Sequence, residues 1–202
     1  ESAKLFYSNL KKTNVHFVDA PVSGGPEGAK SATLAIMAGG DVDVFEKIKE
    51  ILKTMGNPTL VGPAGSGQVA KLCNQIIVGV TIGAVAEAVI LCEQVGANPE
   101  NFIKAVAGGF ADSKILQNHG ARMIKKDFAP RGKSITHLKD MDNILKCAKD
   151  ANISLPISKL IQSMYQNIVD RGQGNDDHSA LYKESAERLS STNPSFKTRS
   201  SG

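Results

Sequence analysis

The sequence predicts a mostly helical protein, in which a small α/β region at residues 1–62 precedes a larger all-α region at residues 63–192. Three observations lead to this prediction. Short β-rich runs alternate with helical patterns only in the first region. In the second region, apolar residues recur at helical spacing. An uncharged run at residues 72–86 joins the two regions. Because the last segment, 193–202, is polar and terminal, we expect a flexible tail there.

The first region alternates helical and extended patterns. Residues 2–12 place Leu5 and Leu10 on one side of a predicted helix. The remaining elements are predicted in this order: a strand at 15–20, a glycine- and proline-rich loop at 21–32, a strand at 33–39, a helix capped by Asp41 or Asp43, and a strand at 58–62. Since sheets usually have about 4 to 6 strands, we expect this region to be the end of a domain whose beginning lies upstream.

The second region shows helical spacing throughout. A long helix is predicted from near Gly65 to Gly96, where a glycine ends it. Asn98, Pro99 and Glu100 supply the cap, the first-turn proline and the acidic residue that begin the next helix. Further helices are predicted at 113–125, 134–150, 156–171 and 178–190.

Composition argues against several classes of protein. The net charge of +4 comes from scattered basic residues, so no nucleic-acid partner is predicted. Three cysteines, Cys73, Cys92 and Cys147, lie far apart, and the four histidines lack metal-ligand spacing, so neither a disulfide framework nor a metal site is expected. The N-terminus resembles no signal peptide. The uncharged run is shorter than the roughly 20 apolar residues of a membrane span. We expect a soluble cytoplasmic protein with no membrane partner.

Lys71 stands at the entrance to the uncharged run, about one turn into the predicted helix. A helix N-terminus disfavours a cation, and its neighbours Val69, Ala70 and Leu72 are apolar. Both effects favour the neutral amine, which suits a general acid/base near neutral pH. The alternative, favoured when Lys71 is considered alone, is an exposed lysine whose stem covers apolar surface at the end of a helix.

Other segments carry weaker signals. The turn "DAPVSGG", with Ser23, offers a hydroxyl and backbone N–H groups to a carboxylate or phosphate, although a plain surface turn is the more frequent outcome. The segment "GPAGSG" lacks the G-x-G-x-x-G order of a nucleotide fingerprint. Lys139 and Asp140 lie mid-helix, where such charges usually face solvent. Phe110 follows two glycines and either lines a pocket or joins the core.

In combination, three ordered motifs resemble the β-hydroxyacid dehydrogenase family, which includes 3-hydroxyisobutyrate dehydrogenase, tartronate semialdehyde reductase and 6-phosphogluconate dehydrogenase. The motifs are "DAPVSGG", "GSGQVAKLCNQ" and "HLKD", and the resemblance covers about residues 1–190. It implies an α/β remnant of a Rossmann-type NAD(P)-binding domain at residues 1–62, followed by the all-helical C-terminal domain of this family. The cofactor implied is NAD or NADP, and the substrate is a small carboxylate.

The resemblance also assigns catalytic roles. It makes Lys71 the catalytic acid/base, with Asn74 or Gln75 orienting the substrate oxygen. Many family members have asparagine at both amide positions, and the Asn-Gln order here is most similar to the branch that reduces tartronate semialdehyde to glycerate. 6-Phosphogluconate dehydrogenase has a glutamate where this chain has Val78, so that activity is not expected.

The remaining site residues are also implied by the resemblance. The implied substrate-binding residues are Ser23, Gly24, Gly25 and Phe110. The implied cofactor-binding residues are Gly65, Lys139 and Asp140, with Lys139 near the nicotinamide.

The chain departs from the family at its start. No strand followed by G-x-G-x-x-G is present, so the main cofactor cradle and the residue that selects NAD or NADP are not in this sequence. We therefore expect the C-terminal portion of an enzyme, inactive by itself, that forms a homo-oligomer through its helical region. Within the family, 3-hydroxyisobutyrate dehydrogenase is the alternative activity. From another class, the alternative is a non-catalytic helical module for oligomerisation.

Overall fold

A computed structural model describes residues 2–192 of the chain. The helices are α1 (Ser2–Lys11), α2 (Gly25–Lys30), α3 (Val42–Lys53), α4 (Ser66–Val95), α5 (Pro99–Ala105), α6 (Ala121–Ile124), α7 (Ser134–Asp150), α8 (Pro156–Asp170) and α9 (Leu181–Thr192), and the strands are β1 (Val22–Ser23), β2 (Leu34–Gly39) and β3 (Gly56–Gly62). A π-helical turn, Leu116–Gly120, precedes α6, and a 3₁₀ turn, His178–Ala180, precedes α9. The predicted flexible tail, 193–202, lies outside the described residues.

The chain divides into two compact units, Glu1–Asn74 and Gln75–Gly202. The first unit contains a three-stranded sheet in the order β1-β2-β3, with β1 antiparallel and β3 parallel to β2. Helix α3 connects the two parallel strands, and its apolar side chains pack on the sheet. The buried core of this unit consists of Ile36, Ala38, Phe45 and Leu52.

Two predictions for the first unit are wrong in detail. Of the expected strand at 15–20, only Asp19 forms a bridge, with Gly39. Pro21 interrupts the ladder between Asp19 and β1, because proline has no N–H to donate. The expected loop at 21–32 instead contains β1 and the six-residue helix α2, which begins with a proline in its first turn, a favoured position.

The second unit is helical, as expected. Its predicted helices correspond to α5, α7, α8 and α9 within a few residues. The expected helix at 113–125 is partly a π-helical turn, Leu116–Gly120. Helices α7 and α8 pack against each other, and both contain buried residues, among them Met141 and Ile144 of α7 and Tyr165 and Ile168 of α8.

Helix α4 continues from the first unit into the second. It is long and apolar enough to cross a membrane by length and composition alone, with a mean hydropathy of 2.1 over its most apolar window, 39% of which is buried. Central helices of soluble proteins pass the same test. The buried positions Ile82, Ala86, Val89 and Ile90 lie on one side of α4 at the spacing of a helix that packs against a protein core. The absence of a membrane partner stays a prediction.

Candidate active site

Asp19 organises the start of α4, and sequence reasoning missed it. The residue is 4% exposed, and its carboxylate accepts hydrogen bonds from the backbone N–H groups of Gly65, at 2.6 Å, and Gln68, at 2.8 Å. Gly65 directly precedes α4, and Gln68 belongs to its first turn, where the N–H groups have no partners within the helix. A carboxylate at this position also interacts favourably with the helix dipole. Asp19 therefore anchors the helix that carries Lys71.

Two glycines allow α4 to approach the sheet closely. A Cβ atom on Gly67 would lie 2.3 Å from the carbonyl oxygen of Met37, and one on Gly39 would lie 2.7 Å from the backbone nitrogen of Gly67. Neither distance is tolerable for a side chain, so both positions require glycine. This contact fixes the first turn of α4 against the end of β2. The G-x-G pattern of "GSGQVAK" thus has a packing role in addition to any binding role.

The predicted substrate-binding turn lies in the first unit, where β1 passes into α2. Ser23 is half-buried and pairs with Ala35 of β2. Gly24 and Gly25 are exposed and have φ angles of 144° and 63°, a backbone conformation that favours glycine. The turn therefore presents one hydroxyl and exposed backbone beside the sheet edge.

The three predicted catalytic residues lie on consecutive turns of α4. Lys71, Asn74 and Gln75 are all half-buried. Because residues three and four apart share a helical face, the lysine and both amides lie on the same side of the helix. The Gln75 side chain donates from Nε2 to Oδ2 of Asp140 at 2.6 Å, a contact that joins α4 to α7.

Lys139 and Asp140 occupy different environments on α7. Lys139 is exposed, which suits its expected role near the nicotinamide. The carboxylate of Asp140 is half-buried and accepts the hydrogen bond from Gln75. Asp140, expected as a cofactor-binding residue, is therefore held by a protein amide.

The structure also describes the surroundings of two other predicted site residues. Gly65, expected to bind the cofactor, is buried, and its N–H donates to Asp19, so the group that would bind a phosphate is already used. Phe110, expected to line a pocket, is 114% exposed, so its ring lines no pocket within the described residues. The turn that carries it projects outward and is held at its base by a hydrogen bond from the N–H of Gly108 to Asp112, at 2.7 Å.

Helical packing brings together histidines that are distant in the sequence. Nε2 atoms of His119 and His178 lie 2.8 Å apart, and His137 packs edge-on against His178. Burial lowers the pKa of both His119 and His178 from 6.5 to about 4, so both rings are neutral at pH 7. Sequence spacing had indicated no metal site, yet His119, Asp177 and His178 place ligand atoms within 4.8 Å of one another.

The surroundings of Asp177 explain this cluster without a metal ion. Its carboxylate oxygens accept hydrogen bonds from Ser179, Gly132 and Arg131, and Arg122 lies 3.2 Å away. Burial opposes ionisation, but the hydrogen bonds from Ser179 and Gly132 outweigh it and lower the pKa of Asp177 from 3.8 to about 2. Since Arg122 already neutralises the carboxylate, the residues do not fit a metal ion there. The cluster instead ties the loop before α7 to the start of α9.

Comparison with known proteins places this geometry in context. Residues 65–185 match the family model described as "NAD-binding of NADP-dependent 3-hydroxyisobutyrate dehydrogenase". Residues 1–65 match the NAD-binding domain of 6-phosphogluconate dehydrogenase. Over 179 residues the chain is 43% identical to 2-hydroxy-3-oxopropionate reductase of Escherichia coli, a match that covers 88% of this chain and 61% of the relative.

Solved structures agree with these matches. The 3-hydroxyisobutyrate dehydrogenase of Salmonella typhimurium superimposes with a TM-score of 0.80 at 27% identity, covering 90% of this chain and 64% of that one. The Mycobacterium tuberculosis 3-hydroxyisobutyrate dehydrogenase, solved with L-serine, has a TM-score of 0.80 at 25% identity, covering 90% and 65%. The chain thus spans less than two thirds of the length of each of these proteins.

Proposed function

Because this chain belongs to the NAD(P)-dependent 3-hydroxyacid dehydrogenase family, we propose that it is the substrate-binding and catalytic portion of an oxidoreductase that reduces tartronate semialdehyde to glycerate. The observation that carries the proposal is the face of α4 on which Lys71 stands one turn before two amides. The 43% identity to 2-hydroxy-3-oxopropionate reductase supports this substrate. The structural similarity of this chain to the 3-hydroxyisobutyrate dehydrogenase of Salmonella typhimurium supports the alternative activity, oxidation of 3-hydroxyisobutyrate.

In this proposal Lys71 donates the proton that the aldehyde oxygen takes up during reduction. Asn74 or Gln75 orients that oxygen, while Ser23 and Gly24 bind the carboxylate through a hydroxyl and a backbone N–H. NAD or NADP, when bound, supplies the hydride. Lys139 is the residue of this chain that we assign to the cofactor. We do not assign a phosphate contact to the N–H of Gly65, because that group donates to Asp19.

The catalytic role of Lys71 is tested in an extended chain, defined here as residues 1–202 preceded by a nucleotide-binding segment with the G-x-G-x-x-G fingerprint. Lys71→Ala should lower turnover of tartronate semialdehyde by roughly 10² to 10⁴, the usual contribution of a positioned acid/base. The exposed Lys104→Ala on α5 is the matched control, and circular dichroism checks the fold. Near-normal turnover in Lys71→Ala would refute the assignment and favour a non-catalytic helical module.

Substrate preference is tested by kinetics on tartronate semialdehyde and 3-hydroxyisobutyrate. Both substrates carry a carboxylate, so binding of that group cannot distinguish them. Discrimination must therefore come from protein groups that contact the rest of the substrate. A buried amide left unpaired by a methyl group costs about 1–3 kcal/mol, whereas a lost methyl contact costs roughly 1 kcal/mol. We expect kcat/KM for tartronate semialdehyde to exceed that for 3-hydroxyisobutyrate by about ten-fold or more. The Gln75→Asn substitution should reduce this ratio. A preference for 3-hydroxyisobutyrate would establish the alternative activity.

We also propose that the chain forms a homo-oligomer through its helical unit. Ile77, Leu91 and Val95 of α4 are 65%, 64% and 69% exposed, and residues 77, 84 and 91 repeat at heptad spacing along one side of the helix. Such a stripe is suited to packing against a helix of a second copy. The double variant Ile77→Asp/Leu91→Asp should have the molecular mass of a monomer when it is measured by light scattering. An unchanged mass would show that this face is not the interface.

A further inference from the structure

We infer that Asp19 is a positioning residue, which fixes the carboxylate-binding turn at Ser23 relative to the acid/base Lys71 and thereby selects substrate acids by their length. The inference rests on the proposed function, and it goes beyond the anchoring of α4 because it assigns Asp19 an effect on the reaction. All three residues lie within the first compact unit, Glu1–Asn74. The supporting observation is that both oxygens of one buried carboxylate hold the start of α4.

The two side-chain hydrogen bonds restrict both the position and the rotation of α4. Oδ1 of Asp19 accepts from the N–H of Gly65, and Oδ2 accepts from the N–H of Gln68, which lies further along the chain. Because the two donors occupy different positions around the start of the helix, α4 can neither slide nor rotate about its axis without breaking one of the bonds. A rotation would redirect every side chain on α4, including that of Lys71.

The main chain of Asp19 is also fixed. Its N–H donates to the carbonyl of Gly39 at 3.0 Å, and its carbonyl accepts from the N–H of Gly39 at 2.8 Å. The first turn of α4 lies directly against Asp19, since a Cβ atom on Gly67 would be 2.7 Å from the Asp19 carbonyl oxygen and 2.8 Å from Oδ2. Asp19 therefore joins the end of β2 to the start of α4, with no room for a side chain at Gly67.

Short hydrogen-bonded segments lead from this contact to both halves of the proposed site. Ser23 lies four residues after Asp19 and is paired with Ala35 of β2. Lys71 lies three residues after Gln68 in the same helix, which is less than one helical turn. Because a strand pairing and a helix hold these segments, a displacement at the Asp19 contact should move Lys71 relative to Ser23.

This arrangement has a consequence for the length of the substrate. In tartronate semialdehyde one carbon separates the carboxylate from the aldehyde carbon that accepts the hydride. A substrate bound through its carboxylate at Ser23 therefore brings its aldehyde oxygen to Lys71 at only one spacing of the two residues. A misplacement of about 1 Å can lower a rate roughly 10²-fold. We therefore expect the Asp19 contact to favour three-carbon acids over four-carbon acids, whose aldehyde lies further from the carboxylate.

Asp19→Asn tests the geometry in the 202-residue chain, because an amide keeps one acceptor oxygen but turns its NH₂ group towards the other backbone donor. In NMR spectra, the backbone amide resonances of Gly65 and Gln68 should shift, and those of residues 69–74 should shift with them. The matched control is Leu52→Ala, a core substitution in the same unit, which should leave these resonances in place. Unchanged resonances at residues 69–74 in Asp19→Asn would overturn the inference.

Kinetics of the extended chain test the selection by length, with 3-oxopropanoate and 4-oxobutanoate as substrates that differ by one methylene group. Asp19→Asn should lower kcat for the three-carbon acid about ten-fold and kcat for the four-carbon acid less than about three-fold. KM for either acid should change little, because Ser23 stays paired with β2. Gly67→Ala keeps the carboxylate but pushes α4 away from it, so this variant should also lose selectivity for the shorter acid.

The core variant Leu52→Ala separates a positioning role from a general loss of stability. It should keep the wild-type ratio of kcat for the two acids under conditions in which circular dichroism shows it folded. Equal losses on both acids in Asp19→Asn would overturn the positioning role while Lys71→Ala remains inactive. If Asp19→Asn does not fold, Gly67→Ala decides, and a wild-type ratio in that variant would overturn the inference. An active Lys71→Ala enzyme would instead overturn the proposed function and the inference with it.

Discussion

Asp19 provides the sharpest test of how the first unit supports the candidate site. The residue is 4% exposed, and its carboxylate accepts two backbone hydrogen bonds at the start of α4, of 2.6 Å and 2.8 Å. A hydrogen bond to a charged group contributes about 1.5–3 kcal/mol, and a buried donor without a partner costs a similar amount. Asp19→Ala removes both acceptors, so the free energy of unfolding should fall by about 3 kcal/mol, allowing for water that replaces part of the lost bonding.

Asp19→Asn should cost about 2 kcal/mol, because the amide keeps one acceptor oxygen but turns its NH₂ group towards a backbone donor. Urea unfolding followed by circular dichroism measures the loss, and hydrogen exchange at the amides of Gly65 and Gln68 locates it in the first unit. The matched control is Asp43→Asn, an exposed first-turn residue of α3 that should cost less than about 1 kcal/mol. An Asp19→Asn variant as stable as this control would refute the anchoring role.

The remaining predictions concern other parts of the chain. His119 and His178 have folded pKa values near 4, below their usual 6.5, so the unfolded chain binds more protons between these values. The unfolding free energy should therefore fall by roughly 3 kcal/mol for each histidine as the pH drops from 7 to 4. A flat urea midpoint over that range would contradict this prediction. Glu184→Gln should lower the unfolding free energy by about 2 kcal/mol, because Glu184 is 1% exposed and lies between two arginines. The control Glu187→Gln, at an exposed position, should cost under about 1 kcal/mol. Equal losses in the two variants would contradict the prediction. Gly79→Ala should destabilise the helical unit by about 1–3 kcal/mol through overpacking against α7, although alanine is the better helix former. A variant that is more stable in thermal melts would show that α4 and α7 can move apart to accept the methyl group. The 202-residue chain should bind NADH and NADPH weakly or not at all, and micromolar affinity by calorimetry would show that it holds a sufficient cofactor cradle.

Most helices were predictable because their signals are local. The residues of α7 were predicted within the correct bounds, and Asn98 caps α5 through the expected hydrogen bond to the N–H of Asn101, at 2.9 Å. Apolar periodicity and capping depend on neighbours a few residues away, so a single sequence contains them. The α/β region was less predictable, since β1 depends on a partner strand and on the break at Pro21.

The fold class, the family resemblance and the position of Lys71 near the start of a long helix could all be predicted from the residues alone. Only the tertiary structure showed that Asp19 anchors that helix, that Asp140 holds Gln75, and that Phe110 is exposed. The physical reason is sequence distance. Side chains such as Gln75 and Asp140 lie 65 positions apart, and no local pattern encodes their contact, which exists because the packing of α4 against α7 brings an amide to a carboxylate.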